Sequence, residues 1–339
     1  MESILVLTHV DEAGAALTKA SMEAVGAGQE LAARLGAALA VGIVAANPQQ
    51  LKLELPCAAL AVHGEAFAQA RYATDAAACE ALCRAAQATL VLAPHSARFA
   101  RVMAGVAHRV GGAIDTHITA ITGADAVQVS RWFYRQRMEA TLTREQRPWF
   151  LLLEPGTQVA YADTGQAAAL TLIEVARPET RTAVQGLRAP QQAGGETIRP
   201  EARLLFVAGA GWTKKQPDGQ VHAVEAGDII LRFLRDSGAS LGSSKSLVDQ
   251  GGDGHSVLPF LTHMNQVGQT GATPRHPKGL ATCCHGEEPH VVGWRFIGER
   301  RAISLDPNCG WSRGKADVVY VADAFAVMAK VNELLESNS

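Results

Sequence analysis

The chain has 339 residues, a formal net charge of −2, 47% hydrophobic residues and 19% charged residues. These values are ordinary for a globular protein and leave material for two or three domains. The near-neutral charge argues against nucleic-acid binding, which favours a strongly basic balance. Met1-Glu2-Ser3 lacks the basic start of a signal peptide, and no apolar run is long enough to span a bilayer. We therefore expect a soluble, cytoplasmic protein with no direct membrane insertion.

The N-terminal half alternates short apolar runs with amphipathic segments. The runs predict buried strands at residues 4–7, 39–44 and 89–92. The amphipathic segments predict helices at residues 21–35, 76–86 and 99–110. Strands that alternate with helices indicate a mostly parallel sheet with helices on its faces.

The pattern changes after residue 125. Strands are predicted at residues 126–134, 139–143 and 149–153, with no helix between them. Such closely spaced strands favour antiparallel pairing. Residues 166–175 form one further possible strand region.

Residues 177–200 hold three prolines, three glycines and many polar residues, as an exposed linker would. We therefore place an N-terminal α/β domain at residues 1–190, with antiparallel strands near its end, and a second α/β domain at residues 200–339. In the second domain, strands are predicted at residues 204–207, 280–284, 302–305 and 318–321, and helices at residues 225–237 and 324–335.

The cysteines give no metal-binding pattern. Cys79 and Cys83 lie four residues apart on a predicted helix, so they share a face and are predicted to be buried apolar residues. Zinc and iron–sulfur sites usually cluster their cysteines more tightly, so no metal site is predicted. No residue is an obvious catalytic acid, base or nucleophile, so no catalytic residue is predicted either.

Two glycine-containing segments of the second domain are candidate ligand sites. Residues 208–211 follow a predicted strand, and their small side chains would let backbone N–H groups approach a phosphate. The alternative is a tight surface turn. In residues 266–271, two glycines flank Gln269 and Thr270, so the loop could wrap a flat polar ring; an ordinary loop could have this composition by chance.

A third candidate, residues 285–290, follows an apolar strand and is typical of a strand-to-helix turn at the carboxyl edge of a sheet, where α/β folds bind ligands. Glu287 and Glu288 would oppose an anion unless they point away. A structural role for the histidines is the alternative.

These segments resemble electron-transferring flavoprotein alpha subunits. Residues 266–271 are similar to the central flavin-site loop of that family, and residues 241–249 resemble its VGASRAAVD segment. Residues 285–290 stand where the family has SGAIQH, and residues 302–307 resemble AINKDP. The order and spacing agree along nearly the whole chain, but the resemblance is specific only from about Arg203 onward.

The resemblance implies that the second domain is a Rossmann-like domain that binds FAD in an extended form. Thr270 would then donate its hydroxyl toward flavin N5, His290 would lie near the O2 edge, and Asp323 would bind the adenosine ribose. The positions carried over as FAD-binding are Gly211, Ser244, Lys245, Val267, Gly268, Gln269, Thr270, Gly271, His285, Gly286, Glu287, Glu288, Pro289, His290, Ser304 and Asp323.

The sequence departs from the family at four of these places. Residues 285–290 keep the glycine and the terminal histidine of SGAIQH but gain Glu287, Glu288 and Pro289. Lys245 replaces an arginine, which keeps the charge but loses the planar fork.

Residues 208–212 lack the arginine of the family's SGGRG turn, and Ser304 replaces an asparagine. Lys214 or Lys215 could supply the missing positive charge, with a role as solvated loop residues as the alternative. We expect the Lys245 change to shift the reduction potential rather than to abolish FAD binding. Together the departures bear on FAD affinity and reduction potential more than on the fold.

The resemblance also implies partners. A beta subunit would cover the flavin and often binds AMP, a dehydrogenase would supply electrons, and a quinone reductase or other acceptor would take them onward. Two alternatives stay open. The chain could belong to a bifurcating or NAD(P)H-linked flavoprotein with a second flavin in its partner, or it could be a non-redox nucleotide-binding partner that has lost FAD.

Overall fold

The structure is a computed structural model. It describes residues 2–11, 13–123, 126–133, 138–162, 167–176, 178–183, 185, 198–199, 202–249, 258–268, 274–282, 297–307 and 316–337. The chain divides into two units, Met1–Arg188 and Ala189–Ser339. Within the described ranges, no helix is long and apolar enough to cross a membrane.

The first unit is built on one large sheet. Its described strands are β1 (Ser3–His9), β2 (Ala38–Val44), β3 (Ala59–Val62), β4 (Leu90–Pro94), β5 (Ala113–Thr122), β6 (Gln128–Phe133), β7 (Met138–Leu142), β8 (Trp149–Leu153) and β9 (Leu170–Ile173). They are ordered β7-β6-β5-β8-β4-β1-β2-β3-β9. Pairing is parallel except where β6 meets β5 and β7. The predicted mostly parallel α/β fold is confirmed.

Helices cover the two faces of this sheet. They are α1 (Lys19–Leu35), α2 (Tyr72–Ala85), α3 (Ala97–Ala100) and α4 (Met103–Arg109). Buried residues of α1 form one apolar cluster with one face of the sheet, and those of α2 and α4 form another with the opposite face. Gly28 lets α1 approach the sheet closely, since a Cβ there would lie 2.3 Å from Val6 Cγ2.

Two of the predicted elements are wrong in form. The close spacing of the strands predicts antiparallel pairing for β8, but β8 lies between β4 and β5 and is parallel to both. All five of its residues are buried, as in a central strand of a parallel sheet. The single helix expected at residues 99–110 is two helices, because α3 closes with a tight bond from Val102 N to Phe99 O of 3.0 Å.

Cys79 and Cys83 are buried in α2, as predicted. Burial raises the pKa of Cys83 to about 12. This thiol is therefore protonated at neutral pH and chemically inert.

Asp115 is a buried charge centre near the start of β5, with only 1% of its surface exposed. Its Oδ1 lies 3.1 Å from Arg131 Nη1 and 3.0 Å from Arg144 Nη2, and its Oδ2 accepts from Trp149 Nε1 at 2.9 Å. Burial raises the pKa of Asp115, but the hydrogen bonds of Arg144 and Trp149 and the two arginine charges outweigh it. The net effect lowers that pKa below its usual value.

This lowered pKa predicts a pH-dependent contribution to stability. The carboxylate stabilises the folded state at any pH above its unfolded pKa of about 3.9, and that contribution is lost as pH falls through the lower folded pKa. We expect Asp115→Asn to be less stable than wild type at pH 7, with the difference shrinking from about pH 5 to about pH 2. Urea unfolding across this range measures the difference, with Glu174→Gln as the control because Glu174 is an exposed carboxylate of the same unit. A difference that stays constant with pH would refute the assignment.

The second unit is built on a parallel sheet. Its described strands are β10 (Leu204–Ala208), β11 (Ser240–Ser243), β12 (His276–Thr282), β13 (Ile297–Ser304) and β14 (Val318–Val321), ordered β11-β10-β12-β13-β14. Its described helices are α5 (Ala223–Ser237), α6 (Lys245–Asp249) and α7 (Ala324–Ser337). Apolar residues of α5 and α7 pack with Phe206 of β10 in one cluster. The expectation of a second α/β unit is confirmed.

Candidate functional site

The strand order of the second sheet reverses at β10. The next strand along the chain, β11, lies on one side of β10, and the later strands lie on the other. In open parallel sheets such a reversal forms a crevice beyond the carboxyl ends of the strands, where ligands bind. The described residues of the predicted FAD site follow strands at this edge or lie beside their ends: Gly211, Ser244, Lys245, Val267, Gly268, Ser304 and Asp323.

The segment after β10 is locked onto the edge of the sheet. Ala210–Thr213 forms a short 3-10 helix, and Gly209 N donates to Thr282 O at 2.9 Å. The fully buried Trp212 donates its indole N–H to Thr282 Oγ1 at 2.8 Å, and its ring centroid lies 4.6 Å from that of Phe325. The hydrogen bonds and the ring contact therefore fix this turn against β12 and α7.

Gly211 is buried inside that 3-10 helix. Its carbonyl accepts from Lys214 N at 3.3 Å and from Gln216 Nε2 at 3.0 Å. Lys214 and Lys215 are exposed. The turn is thus ordered rather than a loose surface connection. The Gly211 carbonyl already accepts hydrogen bonds from within the protein.

Two consecutive serines end β11. Ser243 is fully buried, and its Oγ has no hydrogen-bond partner among the residues that the structure describes. Ser244 donates its backbone N–H to Ala208 O at 2.9 Å, and its Oγ accepts from Leu247 N at 3.3 Å. Ser244 therefore caps α6 and holds this end of β11 beside β10.

Lys245 begins α6 and is half-exposed. Its ammonium forms an ion pair with the carboxylate of Asp249, one helical turn further on. Asp249 Oδ1 also lies 3.7 Å from His263 Nδ1. The pairing partly offsets the positive charge that Lys245 presents at the edge.

Val267 joins this edge through the backbone. Its N–H donates to Ser243 O at 3.0 Å, and the preceding Gln266 pairs with Ser243 as an isolated parallel bridge. Gly242 makes room for the side chain, because a Cβ there would lie 2.7 Å from Val267 Cγ2. Gly268 follows with φ of +140°, a conformation that favours glycine.

Ser304 and Asp323 stand at the ends of β13 and β14. Ser304 is buried, and its Oγ accepts from Asp306 N at 3.3 Å. Asp323 is partly buried, and its Oδ1 accepts from Phe325 N at 3.0 Å, which caps the start of α7. Asp323 therefore has a structural role, and its ribose contact stays a prediction.

The remaining predicted site residues lie outside the described residues. They are Gln269, Thr270, Gly271, His285, Gly286, Glu287, Glu288, Pro289 and His290.

Comparison with known proteins identifies the family. Residues 6–180 match the family model described as the electron transfer flavoprotein domain, which is more than half of the 339-residue chain. The chain belongs to the electron transfer flavoprotein family. No curated protein matched the chain.

The matched region of this electron transfer flavoprotein family member lies in the first unit. There the motif resemblance is loose, whereas the specific motifs lie beyond Arg203 in the second unit. The family is one of flavoproteins, which typically work with partner subunits and dehydrogenases. The family match and the specific motifs therefore lie in different parts of the chain.

Sequence reasoning missed a cluster of His95, His117 and Glu154 at the edge of the first sheet. A signal was present, because His95 directly follows the apolar β4 and Glu154 directly follows the apolar β8. Polar residues placed directly after parallel strands converge at the carboxyl edge of the sheet.

Proposed function

We propose that this chain is an alpha-type electron transfer flavoprotein subunit that binds FAD at the carboxyl edge of its second sheet. It carries electrons from a dehydrogenase to a downstream acceptor such as a quinone reductase, as a heterodimer with a beta subunit.

One observation carries this proposal. Positions that were selected from separate sequence segments lie at the carboxyl ends of neighbouring strands in one sheet, beside the reversal of strand order. Residues 211 and 323 are more than a hundred positions apart in sequence, so local composition alone does not account for their sharing an edge. The family match in the first unit adds independent support.

The chemistry of the edge fits an FAD. Flavin and pyrophosphate groups are rich in acceptors, and the edge offers the hydroxyl of Ser244 and the cation of Lys245. The buried Ser243 hydroxyl has no partner among the described residues, as expected beside a polar ligand. Glycine at 242 and 268 lets the backbone pack closely there.

FAD, when bound, supplies the electron chemistry, and the chain supplies binding and orientation. With FAD bound, Lys245 would contribute positive charge beside the ring and would thereby favour a reduced, more negative flavin. The Asp249 ion pair moderates that effect. Asp323 caps α7 with one carboxylate oxygen. When FAD is bound, its carboxylate would also accept hydrogen bonds from the ribose hydroxyls.

Asp323→Asn tests the ribose contact separately from the helix cap. Asparagine caps helices about as well as aspartate, so α7 should be retained. Loss of a charge-assisted hydrogen bond should weaken FAD affinity about tenfold, which corresponds to about 1.4 kcal/mol. Titration of the flavin-free full chain with FAD, followed by flavin fluorescence, measures the affinity.

Glu299→Gln is the matched control. Glu299 is an exposed carboxylate near the amino end of β13, whereas Ser304 lies at the carboxyl end of the same strand. This variant should leave FAD affinity unchanged. Equal FAD affinities for wild type and both variants would count against Asp323 as a ribose ligand. A wild-type chain that binds no FAD even with a beta subunit present would instead support the non-redox alternative.

A further inference from the structure

Three neighbouring strands of the first sheet bring one metal-ligand side chain each to the same edge. β8 lies between β4 and β5 and is parallel to both. His95 comes directly after β4, Glu154 comes directly after β8, and His117 lies within β5. This edge belongs to the first unit, whereas the proposed FAD edge belongs to the second.

The ligand atoms of this cluster converge. Glu154 Oε2 lies 3.3 Å from His95 Nδ1 and 3.0 Å from His117 Nδ1. The two imidazole centroids are 4.2 Å apart with an interplanar angle of 87°. In a tetrahedral zinc site with bonds of about 2.0–2.1 Å, neighbouring ligand atoms are separated by about 3.3 Å. The two Glu154–histidine separations are therefore close to those of ligands around one ion, and all three ligand atoms lie within 4.8 Å of one another.

Backbone hydrogen bonds fix two of the three positions. His95 N donates to Leu153 O at 2.7 Å, and Glu154 N donates to Ile118 O at 2.8 Å. The Glu154 carbonyl also accepts from Thr157 Oγ1 at 2.6 Å. The ligands are thus attached to a rigid sheet edge, which reduces the entropy that is lost when an ion binds.

His117 reaches the cluster through an unusual backbone conformation. Its φ is +58°, in the left-handed region that histidine adopts rarely. It lies where the register of β5 against β8 shifts, between Asp115 and Ile118. Such a bulge redirects a side chain, and here His117 Nδ1 comes within 3.0 Å of Glu154.

The three side chains of the cluster differ in how much of their surface is exposed. The side chains of Glu154 and His95 are 9% and 17% exposed, whereas that of His117 is 47% exposed. A partly desolvated carboxylate interacts strongly with a cation. The exposed side gives an ion a path from solvent and leaves a coordination position for water.

We propose that His95, His117 and Glu154 bind a borderline divalent transition metal ion of the zinc type. Two imidazoles and one carboxylate suit zinc rather than magnesium or calcium, which prefer oxygen ligands. Three protein ligands leave the fourth position of a tetrahedral ion for water. Coordination through Nδ1 places the hydrogen of each neutral imidazole on Nε2.

Zn²⁺ titration of the chelator-treated full chain by calorimetry tests this site. His117→Asn is the best variant, because asparagine tolerates the left-handed conformation and should keep the backbone of β5. We expect this variant to bind one Zn²⁺ fewer per chain than wild type, or to bind the ion at least tenfold more weakly. Glu154→Gln should have the same effect.

His63→Asn is the matched control. His63 Nε2 lies 3.0 Å from Glu174 Oε1 in an exposed histidine–carboxylate pair outside the cluster. The His63→Asn variant should leave the stoichiometry and affinity of Zn²⁺ binding unchanged. This result would separate the cluster from other zinc-binding groups of the chain. Co²⁺ should give the strong visible bands of four-coordinate cobalt in wild type and not in His117→Asn. Equal Zn²⁺ binding by wild type and His117→Asn would overturn the proposal and leave a hydrogen-bonded cluster only.

Discussion

Arg98→Met is expected to lower the free energy of unfolding of the first unit by about 3–5 kcal/mol. Arg98 Nη2 lies 2.7 Å from Asp75 Oδ1, and Arg98 Nε lies 3.1 Å from Asp75 Oδ2. Arg98 Nη2 also donates to Phe67 O at 2.8 Å. Asp75 has no exposed surface, so removal of the arginine leaves its carboxylate buried without its cation. The cost is that of an uncompensated buried charge rather than of a lost surface contact.

Arg84→Met is the matched control for this prediction. Arg84 pairs with Glu80 at 2.9 Å, but the arginine side chain is 60% exposed, so its removal should cost less than about 1 kcal/mol. The double variant Arg98→Met/Asp75→Leu should recover much of the loss, because it removes both charges. Urea unfolding gives the free energies, and hydrogen exchange in residues 72–109 localises the effect. Similar losses for Arg98→Met and Arg84→Met would contradict the prediction.

Trp212→Ala is expected to lower the free energy of unfolding of the second unit by a similar amount, about 3–5 kcal/mol. Trp212 is fully buried, packs against Phe325 and donates to Thr282 Oγ1. The Thr282 hydroxyl in turn donates to Val207 O at 3.2 Å, so the indole joins β10, β12 and α7. Loss of the ring removes apolar packing and breaks this chain of hydrogen bonds at the proposed FAD edge.

Two further variants separate packing from hydrogen bonding. Trp212→Phe keeps an aromatic ring but loses the indole donor, so it should be clearly milder than Trp212→Ala. Val224→Ala should have little effect, because Val224 is 82% exposed. Hydrogen exchange in residues 204–213 and 276–282 reports the local stability. Unchanged protection of both segments in Trp212→Ala would show that the indole does not stabilise this edge.

The fold class could be predicted from the sequence because continuous apolar runs such as Leu90–Pro94 become buried parallel strands. The direction of β8 could not be predicted from the sequence. The chain reaches β8 through the antiparallel strands β6 and β7 instead of through a helix, so the local pattern suggested another antiparallel strand. The unbroken apolar run Trp149–Leu153 is nevertheless typical of a central strand, and all five of its residues are buried.

β5 escaped prediction for a different reason. Its residues 115–117 read Asp-Thr-His, which does not form an apolar run. Asp115 is tolerated in the sheet because Arg131 and Arg144 reach it from later segments. Such long-range neutralisation leaves no local sequence signal.

The proposed FAD edge was partly predictable, since its residues follow strands. The interactions that these residues make within the protein could not be predicted. The Lys245–Asp249 ion pair and the helix cap formed by Asp323 depend on side-chain geometry. The His95–His117–Glu154 cluster was not predicted, because its members are dispersed in sequence and meet only through the order of the strands.

The visible absorption spectrum of the full chain, coexpressed with a beta subunit and supplied with FAD, tests the proposed function most directly. We expect a yellow protein that retains one FAD per chain through gel filtration. Its absorption should bleach on stepwise reduction and return on reoxidation by an electron acceptor. A preparation that remains colourless after addition of FAD would contradict the electron-carrier proposal.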